Sequence, residues 1–535
     1  MDCCWPWKTE RRWRVVVIRW LIKPKMYQDS VKLMKLSAEL RKQDGVKQAS
    51  VIMATEMNKS TLQDIGMLVP EVATANADDL AIIVAADTEE QAQKAVELAE
   101  KLLNRAEVQQ GETKQQFPKT LRSAVEALPG ANLALISVPG TYAAAEALKA
   151  LNLGLNVHLF SDNVTLEDEV RLKQIGTKKG LLVMGPDCGT AIIDGVPLAF
   201  ANVVARGKIG IVGASGTGIQ EATVLIERLG GGISHAIGTG GRDLLDEVGG
   251  QMMLLGIDLL EDDPATEVIL LISKPAGPRT ANKILDRVKQ CKKPVVVNLL
   301  KGDLNTIQSA GVVGAATIED AAYKAVALAN GEEAVAIPEN YWGDYSKQIA
   351  VLESQLRPNQ RYIRGLFTGG TLADEAMVIL SDIVGDIFSN IPLKPELKLP
   401  SARKSHKHTI VDLGDDEFTR GRPHPMIDPL PRNERLMQEY ADPEVGVILC
   451  DVVTGYGSHA DPAGELARAV ARARDAYPSN NPAVIAFVCG TEADPQPLSE
   501  QVKALEKEGI FVLPSNAEAA RTAGRIIKLH ESRRV

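Results

Sequence analysis

Two stretches of this chain repeat one order of parts. Each has a strand-length apolar run, a glycine-rich turn, a helix-length run, and an Asp-Pro pair leading into a further strand. The first stretch passes through Lys208–Val212, the turn Gly213-Ala214-Ser215-Gly216-Thr217-Gly218 and the helical run Ile219–Leu229. It then reaches Asp263-Pro264-Ala265-Thr266-Glu267-Val268-Ile269-Leu270-Leu271. The second passes through Tyr362–Phe367, the turn Thr368-Gly369-Gly370-Thr371 and Leu372–Leu380. It then reaches Ala441-Asp442-Pro443-Glu444-Val445-Gly446-Val447-Ile448-Leu449. Apolar strands that alternate with helices build parallel βαβ units. The repeat therefore predicts a flavodoxin-like α/β domain present twice.

Length and composition agree with this pattern. A chain of 535 residues has room for three or four domains. Glycine is frequent at 44 residues and aromatics are only 4%, as tight strand-to-helix turns require and an all-β sandwich does not. The expected organisation is a tail at 1–14, a small α/β module at 15–107, a Rossmann-like domain at 119–205, and flavodoxin-type domains at 206–331 and 361–530. The tail holds Trp5, Trp7 and Trp13 and has no strand or helix period.

Charge and cysteine content narrow the function classes. With 60 basic against 69 acidic residues the net charge is -9, so no whole-chain footprint for nucleic acid is present. No apolar run approaches the ~20 residues that span a bilayer, and no membrane partner is expected. The six cysteines form no CxxC pair and are too few for a disulfide framework. A cytoplasmic setting and no structural metal are expected.

The two glycine turns are the first candidate site. A turn between a strand and a helix aims backbone N–H groups outward at the positive end of the helix dipole. Ser215, Gly216 and Thr217, with Gly369, Gly370 and Thr371 in the repeat, are read as an anion cradle, although such glycines also serve simply to permit a tight turn. Neither turn carries the Gly-Lys-Ser/Thr of a P-loop. The stretch Arg420-Gly421-Arg422-Pro423-His424-Pro425-Met426-Ile427-Asp428 holds two guanidiniums and an imidazole on a Pro-restricted loop, and Arg grips carboxylate or phosphate in a bidentate way. Asp187, Cys188 and Thr190 follow a strand expected at Leu181–Met184, and Arg242 sits at another strand end. In open α/β sheets that rim is where ligands bind. Cys188 is read as a small rim residue rather than a nucleophile.

These residues also carry a family resemblance. Met184–Ile193, Lys208–Glu221, Asp263–Leu271 and Lys293–Asn298 resemble the α subunit of succinyl-CoA synthetase and related NDP-forming acyl-CoA synthetases. Leu366–Glu375 and Asp442–Val453 resemble the C-terminal domain of that enzyme's β subunit. More closely, Asn132–Val138, Phe160–Glu169, Pro197–Val203, Thr368–Leu372 and Arg422–Pro429 resemble the FdrA family from about Val15 onward. The resemblance implies a CoA-binding-type Rossmann domain and fused α-like and β-like halves. It also implies two helices that point their N-termini at a phosphate.

The chain departs from that pattern where the chemistry lies. The phosphohistidine loop of the family is replaced by Leu300-Lys301-Gly302-Asp303-Leu304-Asn305-Thr306, which has no histidine. The ATP-grasp domain has no counterpart. The resemblance to FdrA implies one subunit of an oxamate carbamoyltransferase in allantoin breakdown, with other protein subunits as partners and a small carboxylic acid as substrate. Phosphate or carbamoyl phosphate is then substrate or product, and CoA is a second candidate ligand. Arg420 and Arg422 are expected to hold the carboxylate and His424 to supply a proton. The alternatives are an acyl-CoA synthetase working with a separate ATP-grasp subunit, and a non-catalytic anion-sensing or scaffold subunit.

Overall fold

The computed structural model describes residues 17–533 apart from 27, 29, 56–57, 60–61, 64–65, 110–117, 301, 303 and 420–422. The tail expected at 1–14 lies outside the described residues, as do Arg420 and Arg422. Contacts divide the chain into two units, Met1–Pro118 and Lys119–Val535.

The first unit is a three-stranded antiparallel sheet in the order β1-β3-β2, built from β1 (Val17–Lys23), β2 (Val46–Met53) and β3 (Leu80–Ala86). The central strand reads Leu-Ala-Ile-Ile-Val-Ala-Ala and is buried throughout. Side chains alternate across a sheet. Leu80, Ile82 and Val84 therefore join Leu33, Leu36, Leu40, Ala92 and Ala95 from the helices Ser30–Arg41 and Glu89–Gln109. Ala81, Ile83 and Ala85 meet Ala54, Leu62, Met67 and Val72 on the other face.

The second unit holds three sheets. A small parallel sheet has the order β4-β5-β6, from β4 (Leu133–Ile136), β5 (Asn156–Leu159) and β6 (Val183–Met184). The seven-stranded sheet has the order β13-β12-β11-β9-β10-β7-β8. Its strands are β7 (Thr190–Ile193), β8 (Val196–Ala199), β9 (Arg206–Ala214), β10 (Ile233–Gly238), β11 (Val268–Ser273), β12 (Val295–Leu299) and β13 (Val313–Gly314). Strands β7 and β8, which precede residue 206, pair antiparallel into this sheet.

The six-stranded sheet is parallel, in the order β15-β16-β14-β17-β18-β19. It is made of β14 (Tyr362–Phe367), β15 (Phe388–Ser389), β16 (Thr409–Asp412), β17 (Val445–Val453), β18 (Ala483–Cys489) and β19 (Phe511–Leu513). Both large sheets contain one five-strand pattern. Starting from β9 or β14, the next strand in sequence lies to one side, and the others step outward on the opposite side as β11-β12-β13 or β17-β18-β19. Only β15, an extra edge strand, interrupts the match. This is a doubly wound order, with a switch point beside the first strand. Every residue of β11 and of β17 is buried, which explains their largely apolar sequences, interrupted in β17 by Asp451.

Each half, called a lobe below, ends in a helix after its last strand, Ile318–Ala329 and Asn516–Ser532. The chain is thus mixed α/β with parallel sheets, and the duplicated order read from the glycine turns is present in its topology. Among the described residues no helix is long and apolar enough to cross a membrane.

Candidate functional site

The helices Gly216–Arg228 and Gly370–Val384 leave the carboxyl ends of β9 and β14, and their N-termini meet. The Ser215 hydroxyl accepts the Gly218 N–H at 2.9 Å as an N-cap and donates to the Thr371 hydroxyl at 2.6 Å. Gly369 comes so close to the opposing turn that a Cβ on it would stand 2.7 Å from Thr217 Cγ2. Only glycine allows that approach. The leading N–H groups of both helices, which have no intrahelical partner, therefore converge on one place with both dipoles adding.

Three residues that the sequence reading passed over complete the site. Lys274 follows β11 on the same rim and is half-buried; its carbonyl accepts the Ser273 hydroxyl at 2.7 Å, while its Nζ makes no hydrogen bond or ion pair with a described residue. Asp412 ends β16 and is 5% exposed. Its Oδ1 accepts the Gly414 N–H at 2.9 Å, and its Oδ2 has no hydrogen bond to a described residue. A Cβ on Gly370 would lie 2.5 Å from Asp412 Oδ2 and 2.9 Å from Lys274 Nζ, so the space beside this first helical residue is flanked by both charges. Burial pushes the Asp412 carboxyl up to about 7, against the opposing pull of Lys274.

Asp451 on β17 is fully buried and binds the second turn from below. It accepts the N–H groups of Thr368 and Gly369 at 2.9 Å and the Thr368 hydroxyl at 3.0 Å. The Gly369 amide is thereby committed to Asp451 and is not free for a ligand, whereas the N–H groups of Gly216, Thr217, Gly370 and Thr371 belong to first helical turns, which have no intrahelical acceptor for them. The signal for Asp451 was legible, because a charge inside the apolar run Val445–Val453 needs buried partners.

The other expected residues surround this centre unevenly. His424 is half-buried and its Nδ1 accepts the Met426 N–H at 3.3 Å, which leaves the ring proton on Nε2, the atom that faces Gly414. Burial pushes its imidazole down to about 4, so at neutral pH it is a neutral donor. Its ring lies 5.5 Å from that of Phe200, which is 5.4 Å from Phe160. Thr190 is buried beside Gly216 and donates to the Phe200 carbonyl at 2.6 Å.

Cys188 is buried against the Thr190 and Gly238 carbonyls, and burial pushes its thiol up to about 12, which leaves it inert as a nucleophile. Asp187 is exposed, with a left-handed φ of 54°. Arg242 pairs with Glu169 at 2.9 Å and donates to the Val164 carbonyl at 2.8 Å. Glu169 in turn belongs to a buried cluster with Lys173 and Asp243.

The lobes are locked around the site by buried polar contacts. Glu221 accepts the Asn516 N–H at 3.1 Å, and Glu375 accepts the Ile318 N–H at 2.7 Å. Each carboxyl thus caps the last helix of the opposite lobe. Asn202 donates to Asp494 at 2.7 Å, and Asp494 also accepts from Val203 N–H and the Thr454 hydroxyl.

Comparison with known proteins agrees with this architecture. Residues 366–526 match the family described as CoA-ligase, residues 205–300 the CoA binding domain, and residues 16–119 the family "AllF, heavy metal-associated domain". The last segment contains neither cysteine nor histidine, so it offers no thiolate or imidazole donor. The chain is 31% identical to the α subunit of malate–CoA ligase from Methylorubrum extorquens over 217 residues, 38% of this chain and 72% of that one. It is 33% identical to the α subunit of an ADP-forming succinate–CoA ligase from Aquifex aeolicus over 182 residues, 33% of this chain and 58% of that one. It is 47% identical to the uncharacterized protein YahF of Escherichia coli K12 over 518 residues, 95% of this chain and 98% of that one. The chain belongs to the FdrA family of succinyl-CoA synthetase-like proteins.

Proposed function

We propose that this chain is a subunit of a group-transfer enzyme that moves a carbamoyl group between phosphate and oxamate, with phosphate held where the two helix N-termini meet. The observation that carries the reading is the meeting of the Gly216 and Gly370 helix starts beside Lys274, whose ammonium makes no hydrogen bond or ion pair with a described residue. Charge-assisted and backbone donors aimed at one point suit an oxyanion. The loop Leu300–Thr306 offers no histidine to carry a phosphoryl group, which supports direct transfer over a phosphoenzyme.

In the proposed reaction, hydrogenphosphate attacks the carbamoyl carbon of oxalurate. A carbon–oxygen bond forms to phosphate and the carbon–nitrogen bond to oxamate breaks. The phosphate proton ends on the oxamate nitrogen. Arg420 and Arg422 are assigned to the substrate carboxylate, and neutral His424 donates a hydrogen bond through Nε2. Other protein subunits complete the enzyme, as the α-subunit relatives suggest. The test is phosphorolysis of oxalurate by the chain with its co-encoded partners. Phosphate-dependent oxamate release that is lost in Lys274→Met is the expected result, and no phosphate-dependent release rejects the reading.

The CoA-ligase relatives favour a second reading, an acyl-CoA synthetase with a separate ATP-grasp subunit. It requires CoA binding and a phosphorylated protein. Calorimetry and intact mass spectrometry that show neither dismiss it.

A further inference from the structure

We propose that Asp412 makes the anion site selective for oxyanions that have a proton to share, so that it takes phosphate and rejects sulfate. This rests on the phosphate reading above and adds a discriminating residue to it. The carboxyl group is held firmly. The Asp412 backbone exchanges hydrogen bonds with the Asn390 side chain, its N–H to Oδ1 and its carbonyl from Nδ2, each at 3.0 Å. The Oδ1 atom is occupied by the Gly414 N–H. The remaining oxygen, Oδ2, is aimed at the space beside Gly370 that Lys274 Nζ flanks from another side.

An anion drawn there by Lys274 and the helix amides must put an oxygen against Oδ2. Two bare anionic oxygens repel at that distance in a buried site. One proton between them converts the repulsion into a short charge-assisted O–H···O⁻ bond. Hydrogenphosphate brings that proton. Sulfate has the same tetrahedral shape and charge, but it has no proton at neutral pH and is turned away.

The groups around Asp412 decide when the carboxyl itself holds a proton. Lys274 favours the carboxylate, whereas Asp415 and Asp374 oppose it. His424 is neutral and neighbours Gly414. Once Asp412 is protonated it donates to either anion, so discrimination must fade at lower pH.

The test is calorimetric titration of the full chain with inorganic phosphate and with sulfate at equal ionic strength, near about pH 8.5, where a carboxyl of this kind is ionised. Phosphate binding at least about tenfold tighter than sulfate is expected. Asp412→Asn keeps the shape and offers an N–H to either anion, so sulfate should gain and the ratio should fall to within about twofold. Lys274→Met should weaken both anions and leave the ratio intact. A second measurement needs no variant: sulfate affinity of the unmodified chain should rise as pH falls toward about 6. Equal binding of both anions by the unmodified chain overturns the proposal. So does an unchanged ratio in Asp412→Asn, or a sulfate affinity that is flat with pH. Binding of neither anion removes the phosphate site itself, whereas binding without discrimination removes only the role of Asp412.

Discussion

The two lobes can be compared residue by residue, because the same strands pair in the same register. Leu270 lies across from Ile211 and Leu449 across from Gly365. The helix caps Ser215 and Gly369 each stand four residues beyond those partners. On this alignment Thr217 matches Thr371 and Glu221 matches Glu375, but Ile272 faces Asp451 and Lys274 faces Val453. The shared pairs are structural: two hydroxyls at the seam and two carboxyls capping opposite helices. The unlike pairs carry the asymmetry. The first lobe caps its turn with its own serine and places a lysine on the rim. The second has glycine at the cap, holds its turn with a carboxylate buried in the neighbouring strand, and adds Asp412 from β16. Duplication accounts for the two matched helix starts, and the difference between the copies accounts for the charges beside them.

The largest expected effect separates the matched glycines Gly370 and Gly216. A methyl on Gly370 meets Asp412 Oδ2 and the flexible end of Lys274, side-chain atoms rather than backbone, so Gly370→Ala should fold and fill the space between them. Displacement at a reacting centre predicts a loss of activity on the order of 100-fold. A methyl on Gly216 meets nothing closer than Thr190 Oγ1 at 3.4 Å, and Gly216→Ala should retain activity within about threefold. Steady-state rates of the two variants decide this, and equal losses would remove the asymmetry.

Next is Lys274→Met, with phosphate affinity lowered about 10- to 100-fold from loss of one charge-assisted contact. The matched change Val453→Leu should leave affinity unaltered, as calorimetry would show.

The buried carboxylate gives a stability prediction. Asp451→Ala strands the N–H groups of Thr368 and Gly369 and leaves Arg432, whose Nη1 lies 3.9 Å from Asp451 Oδ1, without its counter-charge. It should cost about 3 kcal/mol or more. Ile272→Val at the matched position should cost about 1 kcal/mol. Denaturant unfolding of both variants measures the contrast.

A further prediction concerns what the lobes share. Burial pushes the carboxyls of both Glu221 and Glu375 up to about 7 from the ordinary 4.5. The folded state therefore holds protons that the unfolded chain has released. Stability should fall as pH rises from about 4.5 to about 7 and level off above. The double variant Glu221→Gln with Glu375→Gln should flatten that slope. An unchanged slope in unfolding at several pH values would place the titration elsewhere.

The repeated turns, the strand runs around them and the doubly wound order were legible in the sequence, because βαβ units write themselves in alternating apolar periods. The meeting of Ser215 with Thr371 was not, since 156 residues separate them and only the lobe packing brings them together. Lys274 and Asp412 were missed for a related reason. Each is an ordinary residue at a strand end, and each gains meaning from Gly370, which lies in another part of the chain or in the other lobe. Arg242 shows the converse. A guanidinium on the rim reads as an anion ligand, yet here it is held by Glu169, a residue on the helix Leu166–Lys179.

The most direct measurement is calorimetric titration of inorganic phosphate into the full chain and three variants, Gly370→Ala, Lys274→Met and Gly216→Ala. Saturable binding by the unmodified chain and by Gly216→Ala, lost or strongly weakened in the other two, is the predicted result. Equal binding by all four, or by none, would contradict a phosphate site at the meeting of the two helix starts.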